Sequence, residues 1–215
     1  ISTSLTNKFV DNSNLSNNYS RYDEFNNFQI LWIDQHIYFP TTFSENILKF
    51  VKNDKKRFYI IPIGINMSND NHLNILLYDK FSNQLERFEP NGSTYPYNFN
   101  YNSELLDKLI FEKINLYIKN FVYITPKDYL PKIGFQLIES YNNYNDKIIG
   151  DPDGFCTVWC IWYTNMRIQY NNIDRKKLIN KLINKFIESN ISLKKFIRNF
   201  SNKISTIREK ILLEN

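Results

Sequence analysis

Two short apolar runs with a four-residue gap between them constrain this chain most. His72 to Asp79 and Gln84 to Glu89 both carry strand-forming residues, and Lys80-Phe81-Ser82-Asn83 between them is a hairpin-length loop of turn formers. The runs are therefore expected to lie antiparallel, with Pro90-Asn91-Gly92 stopping the second one hard. A four-residue loop sets Asp79 opposite Gln84 and Asn74 opposite Glu89, whereas a two-residue loop at Lys80-Phe81 sets His72 opposite Glu89. In either register His72 and Glu89 share a face of the sheet, and a one-residue slip would part them.

Around this hairpin the pattern predicts further strands at Phe28 to Ile33, Arg57 to Ile63 and Phe121 to Thr125. Helices are expected from Thr41 or Thr42 to about Lys52, from Ser103 to Lys119, and over about 174–189 and 192–213. From Cys156 onward Val158, Trp159, Ile161, Trp162, Tyr163 and Met166 make a run so apolar that it reads as a buried helix. Residues 126–155 read as loop, and the polar, Asn- and Ser-rich residues 1–27 as a loose arm. The class is α+β: a small mixed or antiparallel sheet flanked by helices, with a buried central helix that begins at Cys156. At 215 residues, without repeats or a separating linker, the chain is expected to form one domain.

Composition narrows the function classes. The chain is rich in Asn, Ile, Lys, Tyr and Phe and has no Ala, a bias toward residues of AT-rich codons. Its five glycines are spaced for neither a phosphate-binding loop nor a dinucleotide fingerprint. A net charge of +5 is mild, and the densest basic run, Arg175-Lys176-Lys177, opens an amphipathic helix and reads as a solvated face rather than a nucleic-acid surface. No apolar stretch is long enough to span a membrane, and residues 1–8 do not read as a signal peptide.

With two Cys and two His, few side chains can carry chemistry. Cys156 and Cys160 stand four apart on the expected helix, poorly placed for zinc and too far apart at the Cβ atoms for a disulfide. Reduced thiols and an intracellular setting follow as expectations. Cys156, at a helix start, is the nucleophile candidate because the dipole there favours a thiolate. Cys160 lies among Trp159, Trp162 and Tyr163 and reads as core.

The succession of Asn71-His72-Leu73-Asn74, Arg87-Phe88-Glu89-Pro90-Asn91-Gly92, Gly134-Phe135-Gln136 and Asp153-Gly154-Phe155-Cys156-Thr157-Val158-Trp159 resembles the ubiquitin-like-protein protease clan of cysteine proteases. That clan includes the adenoviral and SUMO proteases, and the closest likeness is to its versions in large DNA viruses. The resemblance implies His72 as general base, Glu89 as its orienting acid, Cys156 as nucleophile and Gln136 as oxyanion donor, with no cofactor or metal. It implies a thiol protease with residues 28–170 as catalytic core and 171–215 as C-terminal helices. Its partner would be a protein substrate, a ubiquitin-like modifier or a viral structural precursor, cut after Gly in host cytoplasm or virion. Leu73 stands where the SUMO proteases carry Trp, which makes SUMO the less favoured modifier. An acyltransferase with the same triad, or a non-catalytic virion or scaffold protein of the same fold, are the alternatives.

Overall fold

In a computed structural model, residues 29–67, 70–94, 101–138 and 155–214 are described. The expected arm at 1–27 and most of the expected loop at 126–155 lie outside them. The described residues divide into two units, one of 29–67, 70–88 and 101–125, the other of 89–94, 126–138 and 155–214. The class is mixed α+β, as the sequence predicts.

The first unit is built on a six-stranded mixed sheet: β1 (Ile30–Ile33), β2 (His36–Tyr38), β3 (Phe58–Met67), β4 (Asp70–Asp79), β5 (Gln84–Phe88) and β6 (Val122–Ile124), in the order β2-β1-β3-β4-β5-β6. The β4–β5 ladder takes the register of the four-residue loop, with Asp79 opposite Gln84 and Ile75 opposite Phe88. Asn83 supplies the left-handed residue that this turn needs (φ 51°). Its side-chain amide donates to the Asn120 carbonyl at 3.0 Å, and its own carbonyl accepts from Val122 N–H. That one asparagine thus seats β6 beside β5 in parallel.

Asp79 fixes the other side of the turn. Its carboxylate accepts two hydrogen bonds from Arg57 at 2.8 Å, and one each from Phe81 N–H and Ser82 Oγ at 3.1 Å. Burial alone would raise its pKa, but these donors hold the carboxyl below the usual carboxylate range.

One face of the sheet gathers Tyr59, Ile61, Ile63 and Ile65 of β3 with Leu76 and Tyr78 of β4 and Leu85 and Arg87 of β5, by alternation along paired strands. Helix α1 (Phe43–Lys52) covers it with Phe43, Ile47 and Phe50, and Phe50 stacks on Tyr59 with ring centroids 4.9 Å apart. Helix α2 (Ser103–Ile114) adds Leu106, Ile110 and Ile114, and is capped by Asn102, whose side chain accepts from Leu105 N–H.

Between α2 and the sheet lies a buried polar cluster. The Arg87 guanidinium is wholly buried and donates to both Asp107 oxygens at 2.6 and 2.8 Å, and to Asn74 and Ser103. Tyr123 donates its hydroxyl to Asp107 at 2.6 Å. Burial opposes the charge on Arg87, yet the bonds and charge of Asp107 more than offset it, so its pKa is raised.

The second unit is helical: α3 (Pro126–Tyr129), α4 (Cys156–Gln169), α5 (Arg175–Glu188) and α6 (Leu193–Leu213). Asp174 and Ser192 cap α5 and α6 by accepting from Lys177 N–H and Lys195 N–H. The core is aromatic. Phe135 stacks on Trp159 at 5.4 Å and meets Trp162 edge-on at 5.2 Å, and Phe186 and Phe196 close the cluster at 4.9 Å from each other. Offset and edge contacts of this kind contribute about 0.5–1.5 kcal/mol each beyond area burial.

Several expectations need amending. Strand β2 and helix α3 were not expected. The helix begun at Ser103 ends at Ile114, not Lys119, and Asn115 is followed by a tighter turn. Helix α4 buries Trp159, Cys160, Trp162 and Tyr163 but exposes a stripe through Thr157, Ile161, Asn165 and Gln169. No helix among the described residues is long and apolar enough to cross a membrane.

Candidate functional site

The sequence-expected residues fall in different units. His72 belongs to the sheet unit: it is buried on β4, opposite Ile65, on the face that carries Asn74 and Leu76. Glu89, Gln136 and Cys156 belong to the helical unit. No arrangement of all four follows from either unit by itself.

Within the helical unit the Glu89–Gly92 turn and the 131–136 segment cross at close quarters. Glu89 is buried, and its carboxylate accepts from Asn91 N–H at 2.9 Å while its carbonyl accepts from Gly92 N–H at 3.0 Å. Gly134 N–H donates to the Asn91 carbonyl at 2.8 Å and Gln136 N–H to the Pro90 carbonyl at 3.1 Å. Ser93 N–H returns a bond to the Pro131 carbonyl at 2.8 Å. The two backbones nearly touch: a Cβ on Gly134 would stand 2.4 Å from both Gly92 N and the Pro90 carbonyl oxygen. A Cβ on Gly92 would stand 2.5 Å from Gly134 N, and its φ of 103° already excludes most side chains. Both glycines are thus required by the crossing, a pairing that sequence reading had no signal to find.

Phe135 carries this crossing onto α4 through Trp159 and Trp162. Cys156 opens α4 as its first residue and is part-exposed, and Cys160 is fully buried one turn on. Both thiols are free. Burial pushes the Cys160 pKa well up, and the neighbouring Cys156 and Glu89 charges push it the same way. Cys160 therefore stays protonated at neutral pH and acts as a small core residue. Iodoacetamide at pH 7.5 should modify Cys156 first, with Cys160 reacting only as the protein unfolds. Peptide mass mapping over a time course checks this, and equal rates at the two sites would refute it.

The arrangement offers a buried acid engaged in closing a turn and a part-exposed thiol at a helix start. Among the described residues no three His, Cys, Asp or Glu side chains gather as a metal site.

No protein-family model matches the chain, and no solved structure matches it. Two viral proteins are similar. One, named L371 and named for ankyrin repeats, from Acanthamoeba polyphaga mimivirus, is 43% identical over 189 residues, which cover 85% of this chain and 25% of that protein. The other, the uncharacterized protein 082L of Invertebrate iridescent virus 6, is 45% identical over 42 residues, 19% of this chain and 27% of that protein. The chain thus spans about a quarter of the length of the curated relatives it matches.

The first match overturns the resemblance to the ubiquitin-like-protein protease clan. The thiol protease, deubiquitinase and viral maturation protease readings fall with it, as does the acyltransferase alternative. The structure supplies a physical reason for the false likeness. In the Arg87-Phe88-Glu89-Pro90-Asn91-Gly92 motif, Arg87 holds Asp107, Glu89 closes the turn, and Gly92 lets Gly134 pass. Each of the three thus has a part in the fold that constrains the motif.

Proposed function

We propose that this chain is a protein-binding domain, non-catalytic, carried by a longer viral protein next to ankyrin repeats. The observation that carries the reading is the match over 189 residues within a protein named for such repeats. Ankyrin repeats are stacked 33-residue helical units whose concave face binds other proteins. The described elements here form a sheet unit and a helical unit with no such period, so the chain would add a second kind of surface beside the repeats. The far half of α6 supports the reading, since Ile207 and Ile211 share one face of it and each is about half exposed.

In this reading α4 is the central helix of its unit, supported by the burial of Trp159, Cys160, Trp162 and Tyr163 and by the rings of Phe135 and Phe196 around them. Glu89 and Gln136 are assigned the closing of the turn, and His72 and Cys156 packing roles.

The test is native affinity purification of the tagged full chain from cells that produce it, beside a Cys156→Ala variant. The expected result is the same protein partner, at the same stoichiometry and unchanged mass, with both. A partner that is shortened by the parent chain but not by the variant would overturn the reading, as would the absence of any co-purifying protein.

A further inference from the structure

The geometry points to the groove between α1 and the lower half of β3 as the seat of an extended acidic peptide, bound as an added strand. The inference rests on the protein-binding reading and names its surface and partner chemistry. Three observations carry it, and all lie within the sheet unit.

The first is an open edge. β1 pairs with β3 only from Ile63 to Asn66, so Phe58 to Ile61 have no neighbour on that side among the described residues. Lys80 N–H donates to the Arg57 carbonyl, which turns the odd-numbered residues of this stretch toward β4. By alternation the N–H and C=O groups of Phe58 and Ile60 point out of the open edge. Pro62 comes next on the same side, where its missing N–H leaves the β3–β4 ladder intact. A row of two donors and two acceptors then stops at a proline, which limits the added strand to about five residues.

The second is a groove of about 530 Å³ along this edge, floored by Phe50, Tyr59 and Ile61, with Ile60 41% exposed beside it. An incoming strand would place alternate side chains on this apolar floor. The third is charge. Lys49 and Lys56 line the groove, Asn46 and Asn53 add amides, and Lys52 and Lys55 stand exposed on the same segment. The acids nearby are Glu45, 2.7 Å from Lys49, and Asp54, which is turned out to Lys80. Such a rim selects acidic side chains and steers them in. Single-stranded nucleic acid is the poorer fit, because Phe50 and Tyr59 already stack on one another and offer no platform between them for a base.

The probe is a fluorescein-labelled peptide, Asp-Val-Glu-Ile-Asp-Val-Glu-Ile, titrated into the full chain by anisotropy, with hydrogen exchange read at the Phe58 and Ile60 amides. Expected are saturable binding that weakens with salt, slowed exchange at those two amides, and at least a tenfold loss of affinity in Lys49→Glu/Lys56→Glu. The same peptide N-methylated at alternate residues should lose binding to a like extent, because it cannot complete the ladder. Equal binding of a peptide with Lys in place of the acids, tighter binding of a labelled oligo-uridine, or no binding at all would each overturn the inference. So would slow exchange at Phe58 and Ile60 in the free protein, which would mean that the edge is already covered. If the peptide fails while the parent chain and Lys49→Glu/Lys56→Glu co-purify the same partner, this surface is wrong and the protein-binding reading stands. If nothing co-purifies, that reading fails first.

Discussion

Asp107→Ala should destabilise the folded protein by about 3–5 kcal/mol, because it strands the wholly buried Arg87 guanidinium without its counter-charge. Two hydrogen bonds vanish from Arg87 and one from the Tyr123 hydroxyl, and Asn74 and Ser103 cannot neutralise a charge. Urea denaturation followed by circular dichroism gives the difference directly. The double substitution Arg87→Leu/Asp107→Leu should recover much of the loss, since it removes the charge along with its partner. A single variant within about 1 kcal/mol of the parent, or a double variant no better than the single, would show that Arg87 reaches water.

Gly134→Ala comes second, and its expected cost is on the order of 3 kcal/mol or more, at the upper end for single substitutions. The added methyl would meet backbone atoms of Pro90, Asn91 and Gly92 at 2.4–2.6 Å, and backbone cannot swing aside as a flexible side chain would. The crossing must widen, breaking the bonds from Gly134 and Gln136 N–H and tilting Phe135 off Trp159. Intrinsic fluorescence should register this, because two of the three tryptophans, Trp159 and Trp162, lie in the affected core. Glycine at 134 and 92 with Phe135 replaced by Leu serves as the control. That variant should lose some packing but keep the crossing, with a smaller shift in the urea midpoint.

Elements with strong local signals were legible in the sequence. The β4–β5 hairpin follows from Lys80-Phe81-Ser82-Asn83, which leaves two registers open, of which the structure takes that of the four-residue loop, and α5 and α6 lie where their amphipathic patterns put them. Strand β2 was hidden because its turn uses Asp34 and Gln35 at φ 49° and 64°, without the Asn-Gly or Asp-Gly that would announce it. The parallel pairing of β6 depends on Asn83 reaching Lys119 and Asn120, a contact across more than thirty residues that no local window contains. The resemblance to a protease clan misled for a related reason. Glu89 and Gly92 carry strong constraints, and a sequence does not say whether a constraint comes from chemistry or from a backbone crossing. Cys160 was read correctly as core, since Trp159, Trp162 and Tyr163 around it in an apolar helical run already pointed to its burial.

The Pro90–Gly92 turn and the 131–136 segment that clasps it stand about forty residues apart, and the chain between them returns to the sheet unit to form α2 and β6. The two units are therefore interleaved in the gene as well as joined in the chain. On the ribosome, β5 emerges before β6, its parallel neighbour, and the turn emerges before the glycine that locks it. Closing a loop of that length costs little more than closing one half as long, so the delay is kinetic rather than thermodynamic. Recombination faces a stricter rule. No single cut parts the two units, because any fragment that holds all of one also carries a piece of the other, so this sequence can be exchanged by recombination only as a whole, never by halves.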